Sequence, residues 1–257
     1  MITRKAILIF NDGGPDNYLP GVKLDRANYL GFLKSPEGGA WEDNEIMLYN
    51  NNCTRATLLT YIDTYRRAEN VGYWLIIFSG HGYTNDNDQT ILELSPGDDC
   101  LVQDIKNATD YSRRLLIADS CRTVIHAITD SLKRERRLFS TIARHDEYRD
   151  RCRALYMTQL EGVYGNTFNV VYATANNQAA NDDDTTGGYY TFELLHAAQA
   201  CIEGAKATNR DNDYVASIER IHTIAAEAVN SKTNGGQTPS AEGHFLRWIP
   251  FVVVPRI

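Results

Sequence analysis

The stretch WLIIFSGHGY, residues 74–83, is an apolar run that stops abruptly at Ser79, Gly80, His81 and Gly82. Its apolar part is short and rich in isoleucine and aromatic side chains, which is typical of a strand buried on both faces of a sheet. A histidine between two glycines directly after such a strand lies where a loop begins. The chemistry of this chain is therefore expected where its buried strands end.

Similar apolar runs recur along the chain and predict six strands, each buried on both faces. They are KAILIF (5–10), EIMLY (45–49), YWLIIF (73–78), RLLIA (114–118), NVVYA (169–173) and IPFVVV (249–254). Segments with apolar residues at helical spacing lie between them, such as VKLDRANYLGFLK and YVASIERIHTIAAEAV. This alternation predicts an α/β fold: an open, mostly parallel sheet of about six core strands with helices on both faces.

Composition narrows the class of protein further. The 257 residues are 43% hydrophobic, which is enough for one substantial core, and we expect a single domain over 1–257 with an exposed, charged linker at about 130–150. The net charge of -7 gives no general attraction for phosphate or anionic lipid, so neither nucleic acid nor a membrane is an expected partner. Five scattered cysteines, without a C-x-x-C pair or a signal peptide, predict a reduced, cytoplasmic protein.

A second reactive group follows the fourth predicted strand, where RLLIA leads into Asp119, Ser120 and Cys121. Carboxyl ends of parallel strands meet at one edge of a sheet, so we expect His81 and Cys121 to lie together. Helix N-terminal N–H groups would lower the pKa of the thiol, and the histidine would carry the proton. The N–H groups of Gly82 and Cys121 would hold an oxyanion, and the glycines beside the histidine would leave room for substrate.

These motifs resemble those of the caspase and metacaspase family of cysteine peptidases, in which one apolar strand leads into S-G-H-G and another into D-S-C. The similarity continues in order through LPGVKLDRANYL (19–30), YATANNQAAND (172–182), GGYYTFELLHA (187–197) and GGQTP (235–239). The resemblance implies a caspase-like fold, a dyad of His81 and Cys121, an oxyanion hole formed by the N–H groups of Gly82 and Cys121, and peptide hydrolysis through a thioester. The chain looks closer to bacterial metacaspases or orthocaspases than to animal caspases, which suggests a role in stress or defence.

The resemblance to metacaspases also implies a substrate pocket lined by Asp25 and Asp119, with Ser79 as a polar wall, and a preference for arginine or lysine. Two carboxylates at one site repel each other unless a cation neutralises them, and a guanidinium can bond to both. The basic residues of the linker are then either self-cleavage sites or an ordinary charged helix face: Lys133, Arg134, Arg136, Arg137 and Arg144.

We expect no resident cofactor and no metal site, since the remaining histidines lack metal-ligand spacing. Calcium activation, frequent among metacaspases, is a separate hypothesis that rests on the acidic loops NDND and GDD, with Asp86, Asp88, Asp98 and Asp99. The stretch NDDDT (181–185) is typical of a solvated turn.

The expected partners are a protein or peptide substrate and an activating protein. Three alternatives stay open at this point: a caspase-like protease with a different residue preference, a non-catalytic interaction module of the same fold, and a nucleotide-binding flavodoxin-like domain. The last is disfavoured because no G-x-G-x-x-G loop follows the first strand.

Overall fold

The computed structural model describes residues 2–122, 138, 147–208, 211–243 and 249–256. In chain order the strands are β1 Arg4–Asn11, β2 Ile46–Asn50, β3 Tyr73–Gly80, β4 Gly82–Thr84, β5 Thr90–Ser95, β6 Asp98–Leu101, β7 Arg113–Asp119, β8 Phe168–Tyr172, β9 Asp182–Asp183, β10 Gly187–Gly188, β11 Tyr214–Ser217, β12 Ser240–Glu242 and β13 Pro250–Val254. The helices are α1 Val22–Lys34, α2 Arg55–Glu69, α3 Val102–Ala108, α4 Glu147–Glu161, α5 Tyr189–Ala207 and α6 Ile218–Lys232, with a 3-10 turn at Asp43–Glu45.

A six-stranded sheet in the order β12-β8-β7-β3-β1-β2 forms the centre of the fold. All its pairings are parallel except that of β12 with β8, which is antiparallel. A three-stranded antiparallel sheet, β4-β5-β6, follows the end of β3, and β9 and β10 form a short hairpin before α5. The predicted α/β class, with a mostly parallel sheet of six strands, is confirmed.

Alternate side chains of the central strands enter two separate cores. On β3, Leu75 and Ile77 face the core formed with α1, α4, α5 and α6, whereas Ile76 and Phe78 face the core formed with α2 and α3. Each of these four side chains is at most 1% exposed. Burial of one such side chain stabilises the fold by about 1.5–3 kcal/mol, which explains why continuous apolar runs form the central strands.

Two of the six predicted strands differ from expectation. The run at 249–254 forms β13, but this strand pairs antiparallel with β11 and not with the central sheet. The sixth place is taken by β12, in a segment that reads as a loop. An apolar run indicates that a strand is buried but not which strand it pairs with. In β13 the apolar side chains are buried because α4 and α5 pack against this strand.

The second predicted strand is not buried on both faces. It forms β2, the edge of the sheet, where Leu48 is 37% exposed.

Most of the predicted linker lies outside the described residues, including the five basic residues named as self-cleavage sites. Residues 147–150, which belong to the predicted linker, are described and are helical, as part of α4. Within the described parts of the chain, no helix combines the length and apolarity needed to cross a bilayer.

Candidate active site

The register of the sheet places the two reactive segments side by side. Ser79 at the end of β3 pairs with Asp119 at the end of β7, so His81 and Cys121 each lie two residues beyond a matched pair. The segments are in contact there, because a Cβ added to Gly82 would lie 2.9 Å from the Cβ of Ser120. The sheet therefore brings both candidate catalytic residues to its carboxyl edge, as predicted from the strand ends.

His81 is buried, with 8% of its surface exposed, and its Nε2 lies 2.5 Å from the carbonyl oxygen of Asn17. A carbonyl only accepts hydrogen bonds, so Nε2 carries the proton and donates it to this bond. Nδ1 is then the nitrogen with the free lone pair. This tautomer suits a base that takes a proton through Nδ1.

Cys121 does not have the lowered pKa that the sequence predicts. Burial raises the pKa of its thiol, the hydrogen bond from Ala180 lowers it, and the nearby charges of Asp119 and Asp182 raise it further. The N–H of Ala180 donates to Sγ over 3.3 Å, but this single donor does not outweigh burial and two carboxylates. The thiol is therefore protonated at rest and needs a base to become a nucleophile.

Gly82 is a glycine for a reason other than room for substrate. A Cβ at this position would lie 2.8 Å from the carbonyl oxygen of Ile91 and 2.8 Å from Oγ of Ser120, so the surrounding protein already fills that space. Its N–H is nevertheless free of the β4–β5 ladder. The N–H of Glu93 donates to the carbonyl of His81, so these two residues form a hydrogen-bonded pair. Hydrogen-bonded and non-bonded pairs alternate in an antiparallel ladder, so the next pair, Gly82 with Leu92, is a non-bonded one.

The three predicted pocket residues come together below these segments. Ser79 Oγ donates to Oδ2 of Asp25 over 2.6 Å, and the N–H of Gly188 donates to Oδ1 of Asp25 over 3.0 Å. Asp119 Oδ2 accepts two hydrogen bonds from Thr191, from its N–H over 2.9 Å and from its Oγ1 over 2.6 Å. Asp25 is 1% exposed and Asp119 is 6% exposed.

A third carboxylate, Asp182, belongs to the same group, and the sequence did not reveal it. It lies on β9, where its Oδ2 accepts a hydrogen bond from the N–H of Gly21 over 3.1 Å, and its charge raises the pKa of both Asp25 and Asp119. We call Asp25, Asp119 and Asp182 the carboxylate cluster. The stretch NDDDT reads as a solvated turn because nothing local shows that its first aspartate folds back onto α1.

Charge is unbalanced in the carboxylate cluster. Burial raises the pKa of Asp25 well above its ordinary value, and the charge of Asp119 raises it further. Burial also raises the pKa of Asp119 to about 6, against the two hydrogen bonds from Thr191. None of the lysines and arginines in the described ranges forms an ion pair with the cluster. A cation placed here would remove the repulsion and lower these pKa values.

The same carboxylates also have a structural role, because they cap α5. Gly188, the N-cap residue, has no side chain to satisfy the first N–H groups of the helix. Asp25 accepts from the N–H of Gly188, and Asp119 accepts from that of Thr191, the third residue of the helix. Gly188 must be a glycine, since a Cβ there would lie 2.4 Å from Oδ2 of Asp119.

The acidic loops proposed for calcium form no metal cluster within the described residues. Asp98 Oδ1 accepts from the N–H of Arg55 over 2.6 Å, and Asp99 Oδ2 accepts from the hydroxyl of Tyr83 over 2.6 Å. These carboxylates are therefore bonded to the protein itself. Calcium activation stays an untested prediction.

Comparisons with known proteins agree with this architecture. The sequence model described as the caspase domain matches residues 3–247. Among solved structures, caspase-1 from Spodoptera frugiperda is similar, with a TM-score of 0.61 and 12% identity over 97% of this chain and 90% of that one. At this identity the likeness shows the fold alone. No curated protein matches the sequence.

Proposed function

Because this chain belongs to the caspase domain family of cysteine peptidases, we propose that it is an endopeptidase with Cys121 as nucleophile and His81 as proton carrier. The observation that carries the proposal is the matched register of β3 and β7, which delivers both residues to one edge of the sheet. Protein or peptide substrates follow from the family.

Catalysis would begin with proton transfer from the Cys121 thiol to Nδ1 of His81, since the thiol is protonated at rest. The thiolate then attacks the substrate carbonyl, and the N–H groups of Gly82 and Cys121 hold the resulting oxyanion. As the intermediate collapses, the peptide C–N bond breaks and His81 gives its proton to the departing amine. Water, deprotonated by the same histidine, attacks the thioester; the C–S bond breaks, the acid is released, and His81 returns the proton to the Cys121 thiolate.

We further propose cleavage after arginine or lysine, recognised by the carboxylate cluster. The support is its unbalanced charge: buried carboxylates with raised pKa values, and no cationic partner among the described residues. A guanidinium would bond to Asp119 Oδ1, which accepts no hydrogen bond from a described residue. Asp25 already accepts from Ser79 and Gly188 and is 1% exposed, so the guanidinium would first meet Asp119.

A panel of fluorogenic peptides ending in Arg, Lys, Asp or Leu tests both parts of the proposal. Cys121→Ala should abolish turnover, whereas Cys201→Ala, at another partly exposed cysteine, should retain it. Asp119→Asn should lower kcat/KM on Arg peptides at least tenfold, the effect of one lost charge-assisted bond. Its matched control is Asp213→Asn, since Asp213 also accepts a hydrogen bond from a backbone N–H but lies outside the cluster and outside the acidic loops proposed for calcium.

Each outcome discriminates between alternatives. Equal turnover by wild type and Cys121→Ala would remove the assigned nucleophile. Cleavage after Asp or Leu alone would leave the dyad in place and overturn the pocket. A folded wild type that cleaves no peptide of any class, with or without calcium, would favour the non-catalytic module, in which the carboxylates serve only as caps of α5.

The subtype and the cellular setting are separate proposals. The D-S-C motif and the acidic pocket support a metacaspase-like or orthocaspase-like enzyme of a bacterial stress or defence pathway, acting in the cytoplasm and switched on by a partner or by calcium. Cellular fractionation, and pulldown with Cys121→Ala as a substrate trap, would test this setting.

A further inference from the structure

We infer that Thr191 is a positioning residue that holds Asp119 in place to receive a cationic side chain. The inference rests on the proposed preference for arginine or lysine. Thr191 lies in the first turn of α5, within a stretch whose helical pattern gives it no special role.

The geometry around Thr191 divides the two oxygens of Asp119 between different tasks. The N–H and the hydroxyl of Thr191 both donate to Oδ2, over 2.9 Å and 2.6 Å. The backbone of Gly188 closes the same side, since its added Cβ would lie 2.4 Å from Oδ2. Oδ2 is thus fixed by the protein, and Oδ1 stays available to a ligand.

Tyr29 offers the Thr191 hydroxyl a second acceptor. The hydroxyl oxygen of Tyr29 lies 3.3 Å from Thr191 Oγ1, and both Tyr29 and Thr191 are 0% exposed. The Thr191 hydroxyl has only one proton to donate, and an ionised carboxylate 2.6 Å away is a stronger acceptor than a phenol oxygen 3.3 Å away. The bond from Thr191 to Asp119 is therefore strongest when Asp119 is ionised, which is the form that binds a cation.

The other groups facing Asp119 oppose that ionised form or are neutral. Asp25 and Tyr29 face it from α1, Asp182 from β9, Tyr190 from α5, and Cys121 from its own segment. None of these carries a positive charge. The two hydrogen bonds from Thr191 therefore do most to keep Asp119 ionised near neutral pH.

Thr191→Val, which keeps the shape of the side chain but removes its donor, tests the inference. We expect KM for an Arg peptide to rise about tenfold with kcat nearly unchanged, the effect of one charge-assisted hydrogen bond. The acid limb of the kcat/KM profile should move to higher pH. Thr191→Ser should restore both values, and Thr223→Val, which removes a similar hydroxyl from α6, should match wild type.

Calorimetric binding of benzamidine should weaken in parallel in Thr191→Val, which separates recognition from chemistry. Thr191→Ala, which removes the same donor with a smaller side chain, keeps the test decisive if Thr191→Val fails to fold, and it should shift the acid limb in the same direction. An active wild type with an unshifted acid limb in Thr191→Val, or in Thr191→Ala where the former is unfolded, would overturn the role of Thr191 alone. A wild type inactive on Arg and Lys peptides would overturn the proposed preference, and the role of Thr191 with it.

Discussion

Replacement of Asp119 by asparagine should make the protein more stable at alkaline pH and, under the proposed specificity, weaken the recognition of arginine. Burial raises the pKa of Asp119 from 3.8 to about 6. The folded state therefore holds this proton more tightly than the unfolded state. The stability that the proton provides is fully present below pH 3.8 and is lost as the pH rises through 6.

The size of the effect follows from the same values. A pKa raised from 3.8 to about 6 corresponds to about 3 kcal/mol of lost stability at pH 8, and Asp119 is too deeply buried for solvent to screen much of it. Asparagine has no charge to lose, and its amide oxygen can still accept both bonds from Thr191. Because these bonds are weaker to an amide than to a carboxylate, we expect a net gain of about 2 kcal/mol at pH 8.

Urea unfolding of wild type and Asp119→Asn at pH 4.5, 6 and 8 measures this prediction. The difference in unfolding free energy should grow with pH. A variant that is less stable than wild type at pH 8, or a difference that does not change with pH, would refute the view that Asp119 is a buried carboxylate without a cation.

Two further predictions concern packing and a buried ion pair. Gly188→Ala should destabilise the fold by about 1–3 kcal/mol and lower activity, because the new Cβ would lie 2.4 Å from a carboxylate oxygen of Asp119. The control is Gly204→Ala, whose Cβ would have no atom within 4 Å. In a thermal melt this control should be neutral or stabilising. Burial raises the pKa of Glu45, but the hydrogen bonds from Arg153 and Arg4 outweigh burial and lower this pKa from 4.5 to about 2. Glu45→Gln should therefore lower the free energy of unfolding by roughly 3 kcal/mol at pH 7. This deficit should shrink as the pH falls from 4.5 towards 2. A deficit that is independent of pH would show that charge is not its cause.

The sequence predicts those parts of the fold and site that depend on neighbours along the chain. The ends of β3 and β7 follow from short apolar runs, and the pairing of Ser79 with Asp119 then places His81 beside the segment of Cys121. Pairing between distant segments leaves no such local trace. An apolar run therefore indicated a buried strand at β13, but its partner β11 and the place of β12 in the sheet required the structure.

The same limit explains the parts of the site that the sequence did not reveal. Thr191 reaches Asp119 across 72 positions, and Asp182 reaches Gly21 across 161, so neither contact leaves a local pattern. The pKa of Cys121 was predicted in the wrong direction because a strand-to-helix junction indicates N–H donors but not burial. Burial raises the pKa of the thiol, two nearby carboxylates raise it further, and together they outweigh the N–H donor.

The carboxylate cluster links recognition and stability through one helix end. Asp25 and Asp119 satisfy N–H groups at the start of α5. Burial there raises the pKa of both, the charge of Asp119 raises the pKa of Asp25 further, and the charge of Asp182 raises that of Asp119 further. A protein that needed only caps for α5 would be served as well by neutral side chains such as serine or asparagine, without the repulsion. Two ionised caps repel each other, and a bound proton or cation removes that repulsion. Under the proposed preference for arginine or lysine, the repulsion that destabilises the free protein is the same free energy that would favour a basic substrate.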